Sequence, residues 1–94
     1  MLHVFDRARE LIRLHGDFIF DAQGWDNGAR VAKLGEFQLE QGKVKGGEQL
    51  RIIVGGRRHI ATLWDARKDE GYSADTTYLP QSEIEKLLAI PLLA

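Results

Sequence analysis

The stretch RIIVGGRRHI, residues 51–60, sets two adjacent glycines between two runs that read as β-strands. Adjacent glycines accept the positive φ angles of a two-residue hairpin turn, so we predict that the chain reverses at Gly55-Gly56. The same glycines could form a nest of backbone N–H groups with Arg57 and Arg58 as anion ligands. A phosphate-binding P-loop needs a longer glycine spacing that opens a helix, whereas here a strand follows. We therefore interpret the stretch as a hairpin that displays basic side chains.

Two further reversals are predicted on the N-terminal side of this hairpin. Asn27-Gly28 is a typical type I′ turn pair, and a second reversal is plausible at Gln41-Gly42. The three turns together predict a four-stranded antiparallel meander. Because side chains alternate between the faces of a strand, a slip of one residue in any hairpin exchanges the two faces.

Continued without bulges, the three hairpins predict one largely apolar face that forms the core. This face is predicted to hold Phe18, Phe20, Val31, Phe37, Leu39, Val44, Leu50, Ile52, Val54, Ala61 and Leu63, with Lys33, Glu48, Arg57 and His59 as polar exceptions. The opposite face is mixed and is predicted to hold Ile19, Trp25, Ala32, Leu34, Ile53, Ile60 and Trp64 among Asp21, Arg30, Glu36, Lys45, Arg51 and Arg58. Since this second face is too apolar for a simple water-facing surface, we expect the C-terminal helix, the C-terminal tail or a second copy of the protein to cover it.

A helix is predicted at each end of the chain. In residues 2–15, apolar side chains recur at three- and four-residue steps, and Gly16 is expected to end the helix as its C′ residue. Near the other end, Ser82 and Glu85 have the spacing of a capping box, and Pro91 is expected to stop the helix.

The predicted fold class is α+β, with an N-terminal helix, a four-stranded antiparallel meander sheet and a C-terminal helix in one domain over residues 1–94. The charged segment after Trp64 is interpreted as an exposed loop with a short strand at residues 76–79.

Composition narrows the function classes. The 94 residues include 13 basic and 14 acidic side chains, so the net charge of -1 gives no global attraction to nucleic acid. The absence of cysteine excludes disulfides, thiolate catalysis and the usual structural zinc sites. No apolar run approaches the roughly 18 to 20 residues needed to span a bilayer. We expect a cytoplasmic protein that does not enter membranes.

No residue pattern predicts catalysis, a metal or a cofactor. His3 and His15 lack the i, i+4 spacing of a helical metal pair, and neither Ser73 nor Ser82 lies in a nucleophile elbow. His59 is expected to be a neutral histidine on the core face. We therefore predict a protein that is not an enzyme.

The leading hypothesis is a small regulator, inhibitor or accessory factor that binds another protein, with a homodimer as a further alternative. Aromatic residues and arginines together are typical of binding hot spots, and Trp25 opposite Arg30 offers a cation–π pair. The predicted partner-binding residues are Trp25, Arg30, Arg51, Ile53, Arg58, Ile60 and Trp64. The alternative hypothesis is a nucleic-acid-binding protein that uses Lys43, Lys45, Arg51, Arg57 and Arg58.

Overall fold

A computed structural model describes residues 2–44, 47–64, 72–74 and 79–92 of the chain. Its elements in chain order are α1 (Leu2–His15), β1 (Asp17–Ile19), β2 (Ala29–Leu34), β3 (Phe37–Val44), β4 (Gly47–Val54), β5 (Arg57–Trp64), β6 (Tyr72–Ala74) and α2 (Gln81–Leu88). Within the described residues, six strands form one antiparallel sheet in the order of the chain. The predicted α+β meander between two helices is confirmed. The strand count is larger than the predicted four because two three-residue strands, β1 and β6, extend the sheet at its edges.

The hairpin between β4 and β5 is the predicted one, residue for residue. Val54 pairs with Arg57, on either side of the two glycines, and Ile52 pairs with His59. Gly55 and Gly56 have φ angles of 60° and 77°, which a residue with a Cβ adopts only with strain. This hairpin therefore fixes the register at the centre of the sheet.

The other two predicted turns are wrong. Residues 20–28 form a loop between β1 and β2, since Ile19 pairs with Ala29, so Asn27-Gly28 is not a two-residue turn. Gln41-Gly42 lies inside β3, where it pairs with β4. The chain reverses instead between Leu34 and Phe37, and again between Val44 and Gly47, which pair with each other.

These turns change the assignment of residues to the two faces. We call the face toward α1 the helix-side face; by register it holds Phe18, Arg30, Ala32, Leu34, Phe37, Leu39, Gln41, Lys43, Glu48, Leu50, Ile52, Val54, Arg57 and His59. The opposite face, here the outer face, holds Ala29, Val31, Lys33, Gln38, Glu40, Gly42, Val44, Gln49, Arg51, Ile53, Arg58 and Ile60.

The predicted core is correct for β4 and for Phe37 and Leu39 of β3, and wrong for Val44 and for the strands before β3. Phe37, Leu39, Leu50, Ile52 and Val54 are buried as expected. The turn at residues 35 and 36 pairs Ala32 with Leu39, so Ala32 and Leu34 lie on the helix-side face, while Val31 and Lys33 lie on the outer face. Val44 lies on the outer face because β3 continues through Gln41-Gly42 instead of turning there. Phe18 and Phe20 were predicted in the core, but they are 60% and 78% exposed, and Phe20 lies in the loop.

Helix α1 packs its predicted apolar stripe on the helix-side face. The buried residues of the stripe are Val4, Phe5, Ala8, Leu11 and Ile12; His15 is exposed. The helix ends at Gly16, but for a different reason from the one predicted, because the φ angle of Gly16 is not positive. A Cβ at residue 16 would lie 2.6 Å from the carbonyl oxygen of Ile12, so a close approach of the backbone requires glycine there.

Helix α2 completes the core on the same side of the sheet. Leu79, Ile84 and Leu87 are buried against the cluster that α1 forms with β2, β3 and β4. The guanidinium group of Arg7 donates a hydrogen bond of 2.7 Å to the carbonyl oxygen of Leu88 and links the two helices. The predicted capping box is not formed, since Pro80 is the N-cap residue and no side chain caps the helix. The helix ends at Leu88, before Pro91.

Two other predictions concern the segment after Trp64 and membrane-spanning helices. The strand expected at residues 76–79 lies mostly outside the described residues, and β6 forms at residues 72–74, within the segment interpreted as a loop. Neither of the two described helices combines the length and apolar character that crossing a membrane requires.

We predict that Leu50→Ala lowers the free energy of unfolding by about 2 to 5 kcal/mol, because Leu50 is fully buried. Phe20→Ser should change it by no more than about 0.5 kcal/mol, because this side chain is mostly exposed. Urea denaturation measures both. A loss from Phe20→Ser as large as that from Leu50→Ala would place Phe20 in the core and contradict the observed register.

Candidate functional site

The loop of residues 20–28 folds over one end of the outer face and places Trp25 there. The indole ring lies across Gly42 of β3, where an added Cβ would lie only 2.6 Å from the ring atoms Cε3 and Cζ3. Ala22 and Ala29 are buried beside Trp25, and partly buried valines of β2 and β3 pack against this small cluster. Trp25 is consequently only 9% exposed, although it belongs to a loop.

Arg51 lies on the exposed side of this ring. Its guanidinium carbon is 3.8 Å from the centroid of the Trp25 ring, a cation–π contact. Its Nε donates to the side-chain oxygen of Gln49 at 2.9 Å, and its Nη1 donates to the carbonyl oxygen of Gly24 at 2.9 Å. Three contacts therefore hold the guanidinium group in one place.

A buried carboxylate lies at the Nε1 edge of the indole. The Nε1–H of Trp25 donates to Oε1 of Glu40 at 2.9 Å, and the amide of Gln38 donates to Oε2 at 2.6 Å. Glu40 is 6% exposed, so both of its oxygens need such donors. The charge of Glu40 can thus be buried in the outer face and still be satisfied.

Burial lowers the pKa of Arg51, the carboxylate of Glu40 opposes that change, and the positive charge of Arg58 adds to it. Arginine stays protonated at neutral pH even with a lowered pKa, so Arg51 and Arg58 are two cations on the same face. The ring of Trp25 and the carboxylate of Glu40 both compensate the charge of Arg51.

The other end of the outer face has an apolar surface beside these cations. On β4 and β5, Ile53 pairs with Arg58, and Arg51 pairs with Ile60. Both isoleucines are only partly buried, and Arg58 is exposed. We call Arg51, Ile53, Arg58 and Ile60 the β4–β5 patch. Helices α1 and α2 lie on the opposite side of the sheet, so neither covers it.

The structure brings together most of the predicted partner-binding residues. Trp25, Arg51, Ile53, Arg58 and Ile60 all lie on the outer face. Trp64 belongs to β5, where it pairs with Gly47, but its side chain lies outside the described part of the chain.

Arg30 is the exception, and its predicted cation–π contact with Trp25 is wrong. The observed register places Arg30 on the helix-side face, where its Nη2 donates to the carbonyl oxygen of Gly16 at 2.7 Å. The error follows from the assumed turn at Asn27-Gly28, which would set Arg30 opposite Trp25. Arg51 occupies the position over the ring instead.

Sequence reasoning missed Glu40, Gln38 and Gln49, which hold Trp25 and Arg51 in place. A carboxylate in the middle of a strand was the available signal, since a buried charge needs partners. Gly42, two residues further along the same strand face, was the second signal, because a glycine inside a strand often marks the close approach of another group.

The residues predicted for nucleic-acid binding do not form one surface. Arg51 and Arg58 lie on the outer face, whereas Lys43 and Arg57 lie on the helix-side face. Lys45 lies outside the described residues. Lys43 and Arg51 nevertheless border one cavity beside Trp25, whereas Arg57 lies at the other end of the sheet, on the helix-side face.

The described histidine and acidic side chains are otherwise dispersed. Across residues 2–44, 47–64, 72–74 and 79–92, no three histidine or acidic side chains are close enough to hold a metal ion. His59 is 1% exposed and lies opposite Ile52 on the helix-side face, as predicted for a histidine of the core.

We predict that Trp25→Phe lowers the free energy of unfolding by about 1 to 3 kcal/mol, because it removes the indole donor to the buried Glu40 carboxylate. In a Glu40→Gln background the lost hydrogen bond is neutral and weaker, so the same replacement should cost about 1 kcal/mol less. A double-mutant cycle by urea denaturation measures this difference. Strictly additive effects of the two replacements would contradict the described contact.

Comparison of the chain with protein-family models, with curated proteins and with solved structures found no match. Its function is therefore inferred from the geometry and chemistry of the described residues.

Proposed function

We propose that this chain is a small non-catalytic binding protein, a regulator, inhibitor or accessory factor, that docks another protein on the β4–β5 patch. The single observation that supports this proposal is the guanidinium group of Arg51, held over Trp25 beside two partly exposed isoleucines. Protein interfaces obtain most of their binding energy from a few such groups, with aromatic residues and arginine enriched among them.

Pre-organisation is the physical reason why Arg51 suits this role. Fixing a free arginine side chain at an interface costs rotamer entropy, about 0.5 to 1.5 kcal/mol. Here the ring of Trp25, the side chain of Gln49 and the backbone of Gly24 already fix it before any partner arrives. The entropy loss on binding is reduced accordingly.

The chemistry of the patch defines the kind of partner. Ile53 and Ile60 offer apolar contact area, and Arg51 and Arg58 add two positive charges beside it. Glu40 is the nearest described carboxylate to Arg51. It is buried, and its oxygens accept hydrogen bonds from Trp25 and Gln38. The complementary surface is an apolar protein patch bordered by aspartate or glutamate.

A second copy of the chain fits the same patch less well. A two-fold symmetric dimer uses one surface from both copies, so it would bring four arginines of the same charge into one interface. The placement of Arg57 on the other face likewise favours a protein partner over nucleic acid.

The test is capture and reconstitution with charge-reversal variants. Immobilised protein is used to capture a partner from its native host, and the binding of the purified partner is then measured by calorimetry. Arg58→Glu and Ile53→Asp should each weaken binding about tenfold or more, since the first reverses a charge and the second places a carboxylate at the centre of the patch.

Lys33→Glu is the matched control, because Lys33 is an exposed cation on the same face but on β2. Thermal unfolding of each variant shows that the fold is intact. Equal binding by all three folded variants and the unchanged protein would contradict the proposal. Recovery of nucleic acid alone, with affinity that falls steeply with salt, would contradict it in favour of the nucleic-acid hypothesis.

A further inference from the structure

Two cavities lie on the helix-side face. The first has a volume of about 290 Å³ and is lined by Phe18, Gly28, Arg30, Gln41, Gly42, Lys43 and the acidic residue Glu48, among others. The second has a volume of about 280 Å³ and lies between α1 and the sheet, lined by Arg9, Glu10, Arg13, Arg30 and Gln41. Arg30 and Gln41 line both cavities, and we call the two neighbouring cavities together the Phe18 groove.

The first cavity is the apolar part of this groove. The ring of Phe18 forms one wall and is 60% exposed, although it belongs to a strand. Gly28 contributes bare backbone, since a Cβ there would lie 2.6 Å from Cζ of Phe18. Any larger residue at position 28 would meet the ring and reduce this space. The cavity therefore offers an aromatic wall and an open entrance.

The carboxylates near the groove are already engaged. Glu48 accepts hydrogen bonds from Arg9, at 2.6 Å, and from the amide of Gln41. Glu10 accepts two hydrogen bonds from Arg13, at 2.7 and 3.3 Å. Each acidic group is thus matched by a basic group of its own.

Two cations in the lining, Arg30 and Lys43, have no such carboxylate partner among the described residues. Arg30 donates to the neutral carbonyl oxygen of Gly16, and Lys43 is exposed at the rim. Among the described residues, neither forms an ion pair with a carboxylate. The groove therefore combines apolar surface with a local excess of positive charge, although the whole chain carries a net charge of -1.

We propose that the Phe18 groove binds a small organic anion with an apolar body, namely an arylalkyl or alkyl carboxylate. The apolar body packs against the ring of Phe18 over the backbone of Gly28 and Gly42. The carboxylate lies between Arg30 and Lys43. Ligand sites of this type are mostly apolar concavities with a few placed polar groups, and one carboxylate supplies the missing negative charge. Polyphosphates are disfavoured, because Glu10 and Glu48 lie beside the same groove.

This inference is independent of the proposed docking of a protein. The Phe18 groove lies on the helix-side face and the β4–β5 patch on the outer face, with Arg30 and Arg58 on opposite faces of the sheet. Loss of one function leaves the other intact.

The experiment is a titration of the ¹⁵N-labelled protein with 3-phenylpropionate, followed by backbone amide shifts. Saturable shifts are expected at Gly28 and Gly42, with a dissociation constant on the order of 1 mM for a ligand of this size. The neutral 3-phenylpropionamide and the cationic 3-phenylpropylamine test the charge; both should bind more weakly than the carboxylate, the amine most weakly.

Variants assign the site. Arg30→Gln and Lys43→Gln should each weaken binding of 3-phenylpropionate about two- to fivefold, as for an exposed ion pair, and the double variant should weaken it roughly tenfold. Phe18→Ser should weaken it by a similar factor through loss of the aromatic wall. Lys33→Gln, an exposed cation on the other face of β2, is the matched control and should bind as the unchanged protein does.

The same spectra show whether each variant is folded. The proposal is overturned if 3-phenylpropionate produces no saturable shift at Gly28 and Gly42 at concentrations about tenfold above the expected constant. Equal affinity for the carboxylate, the amide and the amine would also overturn it. So would shifts confined to the outer face around Ile53.

Discussion

The ring of Trp25 lies directly on the backbone of Gly42. This contact determines which part of the outer face is covered by the loop of residues 20–28 and which part is not. A side chain at residue 42 would occupy the space of the ring, so the loop of residues 20–28 could not fold onto β3. With the ring in place, its upper surface receives the guanidinium group of Arg51 and its edge donates to Glu40. One close approach thus positions a cation, satisfies a buried carboxylate and covers half of a sheet face without a helix.

The same contact leaves the rest of the outer face uncovered. The loop reaches β2 and β3, and its cluster of small and β-branched residues ends near Val44. Beyond it, Ile53 and Ile60 stay partly exposed next to Arg58. The helix-side face, by contrast, is buried by α1 and α2 over its apolar centre and is open at the charged margin that carries Arg30 and Lys43. The β4–β5 patch therefore lies on the face opposite α1 and α2, and the Phe18 groove lies at the margin of the face that these helices bury.

The fold could be predicted from the sequence wherever a local pattern is compatible with only one structure. The apolar stripe of α1 at three- and four-residue steps has no strand equivalent, and Gly55-Gly56 between two β-rich runs predicts a tight hairpin that the structure contains. Because side chains alternate between the two faces of a strand, this hairpin also predicts the core residues of β4, the burial of His59 and the shared face of Arg51 and Arg58.

Sequence reasoning failed where a glycine had two possible roles. Asn27-Gly28 and Gln41-Gly42 resemble turn pairs, yet Gly28 makes room for Phe18 and Gly42 makes room for Trp25. Local turn preference cannot distinguish these roles, since close approach depends on residues far along the chain. The two wrongly predicted turns gave the first strands the wrong register. Arg30 was consequently predicted on the outer face, whereas it lies on the helix-side face. Arg51 could not be identified as the partner of Trp25 without the fold.

The position of the Trp25 ring is the most direct measure of this account, and NMR can observe it. Nuclear Overhauser contacts should connect the ring protons of Trp25 with the Hα protons of Gly42 and with the side chain of Arg51. Contacts from the Trp25 ring to Arg30 instead, as a two-residue turn at Asn27-Gly28 would give, would contradict it.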